Sequence, residues 1–227
     1  TQSRSSAASD VYKRQPIEYT LPGIGQTQVN AKAGYDFASG LRSILRQDPD
    51  IVMVGEIRDI ETAKIAIQAS LTGHLVLSTV HTNSAIGAIA RLRDMGIESY
   101  LLASSIRMVV SQRLVRRLCT KCRIEITASD SMQQKFSLNS GSTVFQPNGC
   151  AECGHSGFKG RVALAECISV TDELKALIHD EASESTLEKC AFKNTLSIDA
   201  SATKLLLEGV TSYEELLKVQ SRQDANI

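Results

Sequence analysis

The chain has no long apolar run, no excess of charge of either sign and no glycine-rich loop of the kind that cradles phosphates. None of its apolar segments approaches the roughly 18 residues that a membrane-spanning helix needs. Lysine plus arginine and aspartate plus glutamate stand at 25 each, so no whole-chain field favours nucleic acid or anionic lipid. No signal-peptide pattern opens the chain, and the expected location is the cytoplasm, with any membrane contact made through partners. The motif G-x-x-x-x-G-K-S/T, whose backbone amides and lysine hold the phosphates of a nucleoside triphosphate, occurs nowhere. Negligible ATP binding by these 227 residues alone is therefore the expectation. With 42% hydrophobic and 22% charged residues, the chain can bury a core as one large domain or one domain plus a small module.

What is present centres on the stretch from Leu41 to Asn83. Ile51 to Val54 is a short β-branched run bounded by Asp48-Pro49-Asp50 and Gly55-Glu56, which predicts a strand buried on both faces. Asp59 can cap a helix to about Leu71 that stops at Thr72-Gly73, and His74 to Val80 reads as a second strand. A strand, a helix of about a dozen residues and another strand form a βαβ unit, whose strands are parallel and whose crossover is right-handed. Glu56 and His81 then fall just past the carboxyl ends of neighbouring strands, the edge at which open parallel sheets bind ligands. A polar residue at a strand end is by default a solvated loop residue, but two at equivalent points make a candidate site. An acidic residue directly after an apolar strand is also where phosphoryl-transfer enzymes hold magnesium or orient water.

Upstream, Ile17 to Asn30 reads as a hairpin around Leu21-Pro22-Gly23-Ile24-Gly25. Asp36 can cap a helix through Arg46 with Phe37, Leu41, Ile44 and Leu45 on one stripe. Downstream, Asn83 or Ser84 caps a helix ending near Met95, Ser99 to about Met108 reads as helix, and Val109 to Leu118 as a strand leading into cysteines. Arg107 to Arg123 carries six basic side chains and no acidic one. Without interleaved aromatics this fits a solvated face or a subunit interface better than a nucleic-acid patch.

Cys119-x2-Cys122 and Cys150-x2-Cys153 are two knuckle-like pairs separated by 27 residues. Each pair can supply two thiolates at about 2.3 Å to one tetrahedral ion, and four sulfur ligands with no open position describe structural Zn2+. The polar segment from Thr127 to Asn148 reads as the long loop this spacing demands. Disulfides are the alternative, disfavoured in reducing cytosol. Cys167 and Cys190 read as small buried residues. Ser185-x-x-Glu188 and Thr211-x-x-Glu214 are candidate capping boxes, Gly209 is a helix stop, and Leu205, Leu206, Leu216 and Leu217 are candidate core.

The run RQDPDIVMVGEIRDIETA followed by TGHLVLSTVHTN resembles the secretion and pilus-assembly ATPases of bacteria, the hexameric motors of type II secretion and type IV pili. The likeness begins at Pro16-Ile17-Glu18-Tyr19 and extends nearly to the carboxyl terminus. It implies that IVMVGE is a Walker B segment with Glu56 activating water, and that STVHTN is a histidine box carrying His81. It further implies that Arg42, Arg46 and Arg58 stand around the nucleotide or at the subunit boundary, and that Glu18 belongs to an acidic box. Where the family has a Glu-Asp pair before Pro16 this chain has Arg14 and Gln15, so residues 1–15 are expected to be a foreign or disordered junction. The phosphate loop lies upstream of the matched region in the family, so the chain reads as the carboxyl-terminal part of a motor. Tetracysteine modules are common among the family's assembly and secretion motors and missing from its retraction motors.

The implied fold is α/β. It comprises a partial RecA-like P-loop NTPase core over residues 16–118, a tetracysteine zinc module over 119–165 and a helical subdomain over 166–227. The implied reaction is ATP hydrolysis with Mg2+ in a hexameric homo-oligomer that works on an inner-membrane platform protein, in the cytoplasm and peripheral to that membrane. No nucleic acid is expected as a partner. The alternative is a catalytically inactive, zinc-bearing interaction module.

Overall fold

The computed structural model describes residues 11–13, 20–28, 36–193 and 195–224. The chain divides into two compact units, one of the residues up to Arg107 together with Val170–Glu188, the other of Met108–Ser169 together with the residues from Lys189.

The first unit is built on a four-stranded sheet that runs from Ile24–Gln26 (β2) through Val11–Lys13 (β1) and Ile51–Val54 (β3) to Leu75–Ser78 (β4), every neighbouring pair parallel. Strand β1 lies inside the stretch expected to be a foreign junction, yet it pairs with both β2 and β3. Strand β2 was expected as one arm of a hairpin. It instead pairs in parallel with β1, and residues 17–19 of the other arm lie outside the described residues.

Helix α1 (Phe37–Leu45) starts at a reciprocal cap: Asp36 Oδ1 accepts the Ser39 amide at 2.8 Å, and Ser39 Oγ accepts the Asp36 amide at 3.1 Å. Helix α2 (Ile60–Leu71) joins β3 to β4 and is capped by Asp59, whose Oδ1 accepts the Thr62 amide at 2.8 Å. The βαβ unit is therefore present as expected. Leu41, Ile44, Val52, Val54 and Ala66 form its core, with Phe37, Ile57, Ile65 and Val76 packed against them. Each fully buried aliphatic side chain of such a core contributes about 1.5–3 kcal/mol. Burial of β3 alternates rather than covering both faces: Val52 and Val54 are sealed, whereas Ile51 and Met53 keep some exposure.

Ser84, not Asn83, caps helix α3 (Ala85–Asp94), its Oγ accepting the Gly87 amide at 3.0 Å. Helix α4 (Ser99–Ser105) ends three residues earlier than its apolar pattern suggests, because Met108 already begins a strand. The antiparallel ribbon of the second unit pairs Met108–Leu118 (β5) with Phe158–Ser169 (β8), from Met108 opposite Ser169 to Leu118 opposite Phe158. Between them, Ile124–Thr127 (β6) pairs with Thr143–Gln146 (β7) around helix α5 (Asp130–Phe136). The segment expected as a loop is thus ordered. Phe136 and Val144, both buried, anchor it despite its polar composition.

In the first unit, helix α6 (Asp172–His179) is capped by Thr171 and packs against α4. Helix α7 (Glu184–Ala191), whose residues up to Glu188 belong to this unit, is capped by Ser183, whose Oγ accepts the Thr186 amide at 3.4 Å, rather than by Ser185.

In the second unit, helices α8 (Ile198–Leu207) and α9 (Tyr213–Asp224) cover the ribbon, and Val115, Leu164, Leu206 and Leu216 join Phe136 and Val144 in one core. Leu205 packs against that core and Leu217 is half-buried, so the expected leucine positions face inward. Thr211 does not cap α9: its hydroxyl donates to the Arg116 carbonyl at 2.8 Å, while Ser212 Oγ accepts the Glu215 amide at 3.4 Å. Cys167 is exposed rather than buried, since β8 turns Leu164, Glu166 and Ile168 inward and the residues between them outward; Cys190 is half-buried. At Gly209, φ is +65° and an added Cβ would collide with the Phe145 ring, so the helix stop also keeps space for that ring.

Glu215 ties α9 to the ribbon. Its carboxylate accepts from Arg116 Nη2 at 2.6 Å and from Lys218 Nζ at 2.8 Å, with its side chain 8% exposed. Hydrogen bonding to Arg116, opposed by desolvation and supported by Lys218, holds its pKa down to about 2. A depressed acid stabilises the fold above its unfolded pKa near 4.3 and loses that contribution as pH falls towards the folded value. With Arg116 half in solvent, the contribution is on the order of 2 kcal/mol. In urea unfolding, Glu215→Gln is expected to lower stability by about that amount at pH 7, with the gap to the unsubstituted chain closing between about pH 4.5 and pH 2. A gap independent of pH would show that the ion pair contributes nothing.

Candidate functional site

Pairing of Val54 with Ser78 sends the chain off β3 and β4 at the same level of the sheet, at its carboxyl edge. Two bonds then tie the departing loops together. The Ile57 amide donates to the Thr79 carbonyl at 2.9 Å, and Thr79 Oγ1 donates to the Gly55 carbonyl at 2.8 Å. The result is that Glu56 and His81, 25 residues apart, meet: His81 Nε2 lies 3.1 Å from Glu56 Oε2. Arg58 Nε stands 2.7 Å from the same oxygen. The Glu56 side chain is only 18% exposed, whereas Arg58 and His81 are 68% and 83% exposed. The Arg58 hydrogen bond, opposed by desolvation and joined by Arg58's charge and by His81, holds the Glu56 carboxyl below its ordinary value. Chemically, the arrangement is a fixed carboxylate at a ligand-binding edge, with a titratable imidazole and a guanidinium beside it.

Thr79 was not foreseen as part of the site. The strand expected over His74 to Val80 includes it, whereas β4 ends at Ser78 and leaves Thr79 in the loop.

The other expected residues are placed elsewhere. Glu18 lies outside the described residues. Arg42 pairs with Glu61 at the start of α2. Arg42 on α1 and Arg46, four residues on at its carboxyl cap, line an open depression of about 320 Å3 together with Gln68, Thr72 and His74. Arg46 follows the end of α1 and His74 precedes β4, so this depression extends towards the amino edge of the sheet, away from Glu56. The structure therefore groups Glu56, Arg58 and His81 and leaves Arg42 and Arg46 apart.

The second cluster arises from the β5–β8 ribbon. With Leu118 opposite Phe158, Cys119 follows at the ribbon's end, its amide bonded to the Gly157 carbonyl at 2.9 Å. Cys122 closes a tight turn, its amide donating to the Cys119 carbonyl at 3.2 Å. The other pair brackets a short 3-10 turn, Ala151–Cys153, next to the start of β8. All four Sγ atoms lie within 4.8 Å of one another. Three separations are 3.9 Å (Cys119 to Cys150), 3.9 Å (Cys122 to Cys153) and 3.8 Å (Cys150 to Cys153). A tetrahedron with metal–sulfur bonds of about 2.3 Å has edges of about 3.8 Å, so the donor set fits a single tetrahedral ion. A disulfide needs about 2.05 Å, far shorter than these separations.

Backbone amides also point at the sulfurs. Gly149 donates to Cys122 at 3.3 Å, and Cys150 and Gly157 donate to Cys153 at 3.2 and 3.3 Å. Desolvation pushes the Cys153 thiol up, but these amides and the neighbouring thiols outweigh it and bring it down to about 6. Desolvation and the neighbouring thiols together push Cys122 up to about 11. Gly149, at φ +108°, permits the close turn, because a Cβ there would meet the His155 carbonyl at 2.7 Å.

Of the basic stretch, two members are held inside this unit. Arg116 lies over the Phe158 ring at 4.0 Å and pairs with Glu215, and Arg123 lies over Phe145 at 4.5 Å and donates to the Gly209 carbonyl.

Comparison with known proteins gives a family. The model of the family described as "Type II/IV secretion system protein" matches residues 11–218. Type II secretion system protein E of Klebsiella pneumoniae is 53% identical over 204 residues, covering 90% of this chain and 41% of that protein. Type II secretion system ATPase E of Vibrio cholerae is 48% identical over 217 residues, covering 95% of this chain and 43% of that protein. The chain thus spans about two fifths of the length of these relatives. Among solved structures, the pilus retraction motor PilT with bound ADP aligns at a TM-score of 0.65 and 24% identity over 92% of this chain and 52% of that one, which establishes a shared fold. No described helix is long and apolar enough to cross a membrane.

Proposed function

The chain belongs to the type II/IV secretion system protein family, and on that premise we propose that it supplies the Walker B and histidine-box portion of an ATP-hydrolysing motor for type II protein secretion or type IV pilus assembly. The observation that carries this reading is the meeting of Glu56 and His81 at the carboxyl edge of a parallel sheet. Bound ATP with Mg2+ supplies the γ-phosphoryl group and the charge neutralisation that phosphoryl transfer requires. Glu56 accepts a hydrogen bond from the attacking water and orients it, and His81 senses or positions the γ-phosphate side. Glu18 extends this acidic edge by resemblance. Arg42 and Arg46, set apart from Glu56 on an outer helix face, act across a subunit boundary in a hexameric ring. The ring works at the cytoplasmic face of the inner membrane against a platform protein, and no nucleic acid takes part. Engagement of Arg116 and Arg123 inside their own unit supports that last point.

We assign Zn2+ to Cys119, Cys122, Cys150 and Cys153, and read the chain as a partial RecA-like core, a zinc module and a helical subdomain. A second reading, a zinc-bearing interaction module without catalysis, has one observation in its favour: the four-sulfur cluster is complete within this chain.

A chimera separates the two. When this chain replaces its aligned segment in the Klebsiella pneumoniae relative, the hybrid is expected to hydrolyse ATP and to restore secretion in a strain lacking that relative. A hybrid that assembles normally and neither turns over ATP nor secretes would favour the interaction module.

A further inference from the structure

The contact between Arg58 and Glu56 is not what a site poised for water activation needs. Glu56 Oε2 is met at 2.7 Å by Arg58 Nε and at 3.1 Å by His81 Nε2, so one oxygen carries two partners. A carboxylate that neutralises a guanidinium this closely is a poorer acceptor for the O–H of water, because its charge is already answered. The two partners differ in how they are held. Glu56 is largely enclosed and its loop is tied to Thr79 through two hydrogen bonds, whereas Arg58 is 68% exposed. The guanidinium can therefore leave while the carboxylate stays in place. A polyphosphate offers a guanidinium more charge and a better geometric match than a single carboxylate, and it would arrive at this edge of the sheet.

We propose that Arg58 is a restraining clasp on Glu56, which holds the carboxylate quiet until the phosphates of a bound nucleoside triphosphate draw the guanidinium away. The proposal rests on the reading of Glu56 as the water-orienting residue. It makes Arg58 a positioning residue with an inhibitory resting state, unlike Arg42 and Arg46. Arg58 and Glu56 are two residues apart, so the clasp forms within one loop and needs no second copy of the chain.

Two measurements test it. In the 227-residue chain, the Arg58 Nε–H resonance is expected to be protected from exchange and to move on Glu56→Gln; an unprotected, unmoved resonance overturns the clasp. In the chimera with the Klebsiella pneumoniae relative, bound ATP holds the guanidinium on its phosphates, so Arg58→Gln is expected to raise KM for ATP about two- to fivefold, the range for loss of a partly exposed ion pair, and to alter kcat by less. A kcat that falls further than KM rises would overturn the proposal, because Arg58 would then act in the reaction itself. Retained hydrolysis in Glu56→Gln would instead remove the functional reading of Glu56 and leave the resonance measurement to report on the contact alone.

Discussion

Replacing Glu56 by Gln in the hybrid motor is expected to lower ATP turnover about 10²- to 10³-fold while the ring still assembles, the range for loss of a positioned proton acceptor. The substitution keeps the side chain's size and its place in the loop that Thr79 ties to the chain leaving β4, so folding has no reason to fail. It removes the negative charge that Arg58 and His81 both address. His81→Asn is expected to have a smaller effect, about tenfold, because that side chain is largely exposed and its contact in the site is with Glu56. The order of the two effects is the diagnostic part. If the His81 substitution proved the more damaging, the histidine and not the glutamate would carry the chemistry. If the assembled Glu56→Gln ring turned over ATP normally, the Walker B assignment would be lost altogether.

The pairing of Glu56 with His81 was legible because a βαβ unit leaves little freedom: two apolar runs joined by one capped helix must place their ends together. The capping residues Asp36 and Asp59 were legible for a similar reason, since the signal is local. Arg58 was not. Its spacing allowed it to face solvent, a neighbour or Glu56, and only the loop's turn decides that it folds back on the carboxylate. The same limit explains the segment from Thr127 to Asn148. Its composition is polar, and the apolar contacts that order it, Phe136 against Tyr213 with ring centroids 5.7 Å apart and Val144 in the shared core, come from residues far along the chain. Cys167 failed for want of a register. A strand whose partner is unknown does not reveal which of its two faces is inward, and β8 turns this thiol out.

Zinc removal is the prediction with the largest effect on the fold. The chain is expected to purify with one equivalent of Zn2+, released by a thiol-reactive mercurial and lost in Cys150→Ser. Structural zinc in small modules is worth about 10–16 kcal/mol of folding free energy, but here much of the second unit stands on other contacts. Val115, Leu164, Leu206 and Leu216 close the core away from the sulfurs, and Glu215 holds α9 to the ribbon. What depends on the ion is the end of the ribbon: the turn at Cys119–Arg123 and the segment from Gly149 to Gly157, where three amides point at sulfur and no apolar core replaces the metal. A loss of about 4 kcal/mol, or roughly 10–15 °C in Tm for a chain of this size, is therefore expected rather than global collapse. Hydrogen exchange resolves where it falls. Amides of the two cysteine turns should lose protection, while those of β5 around Val115 should keep theirs. Protection that survives in Cys150→Ser at both turns would mean that the sulfurs are held by the backbone alone, and the four-cysteine cluster would then be no metal site.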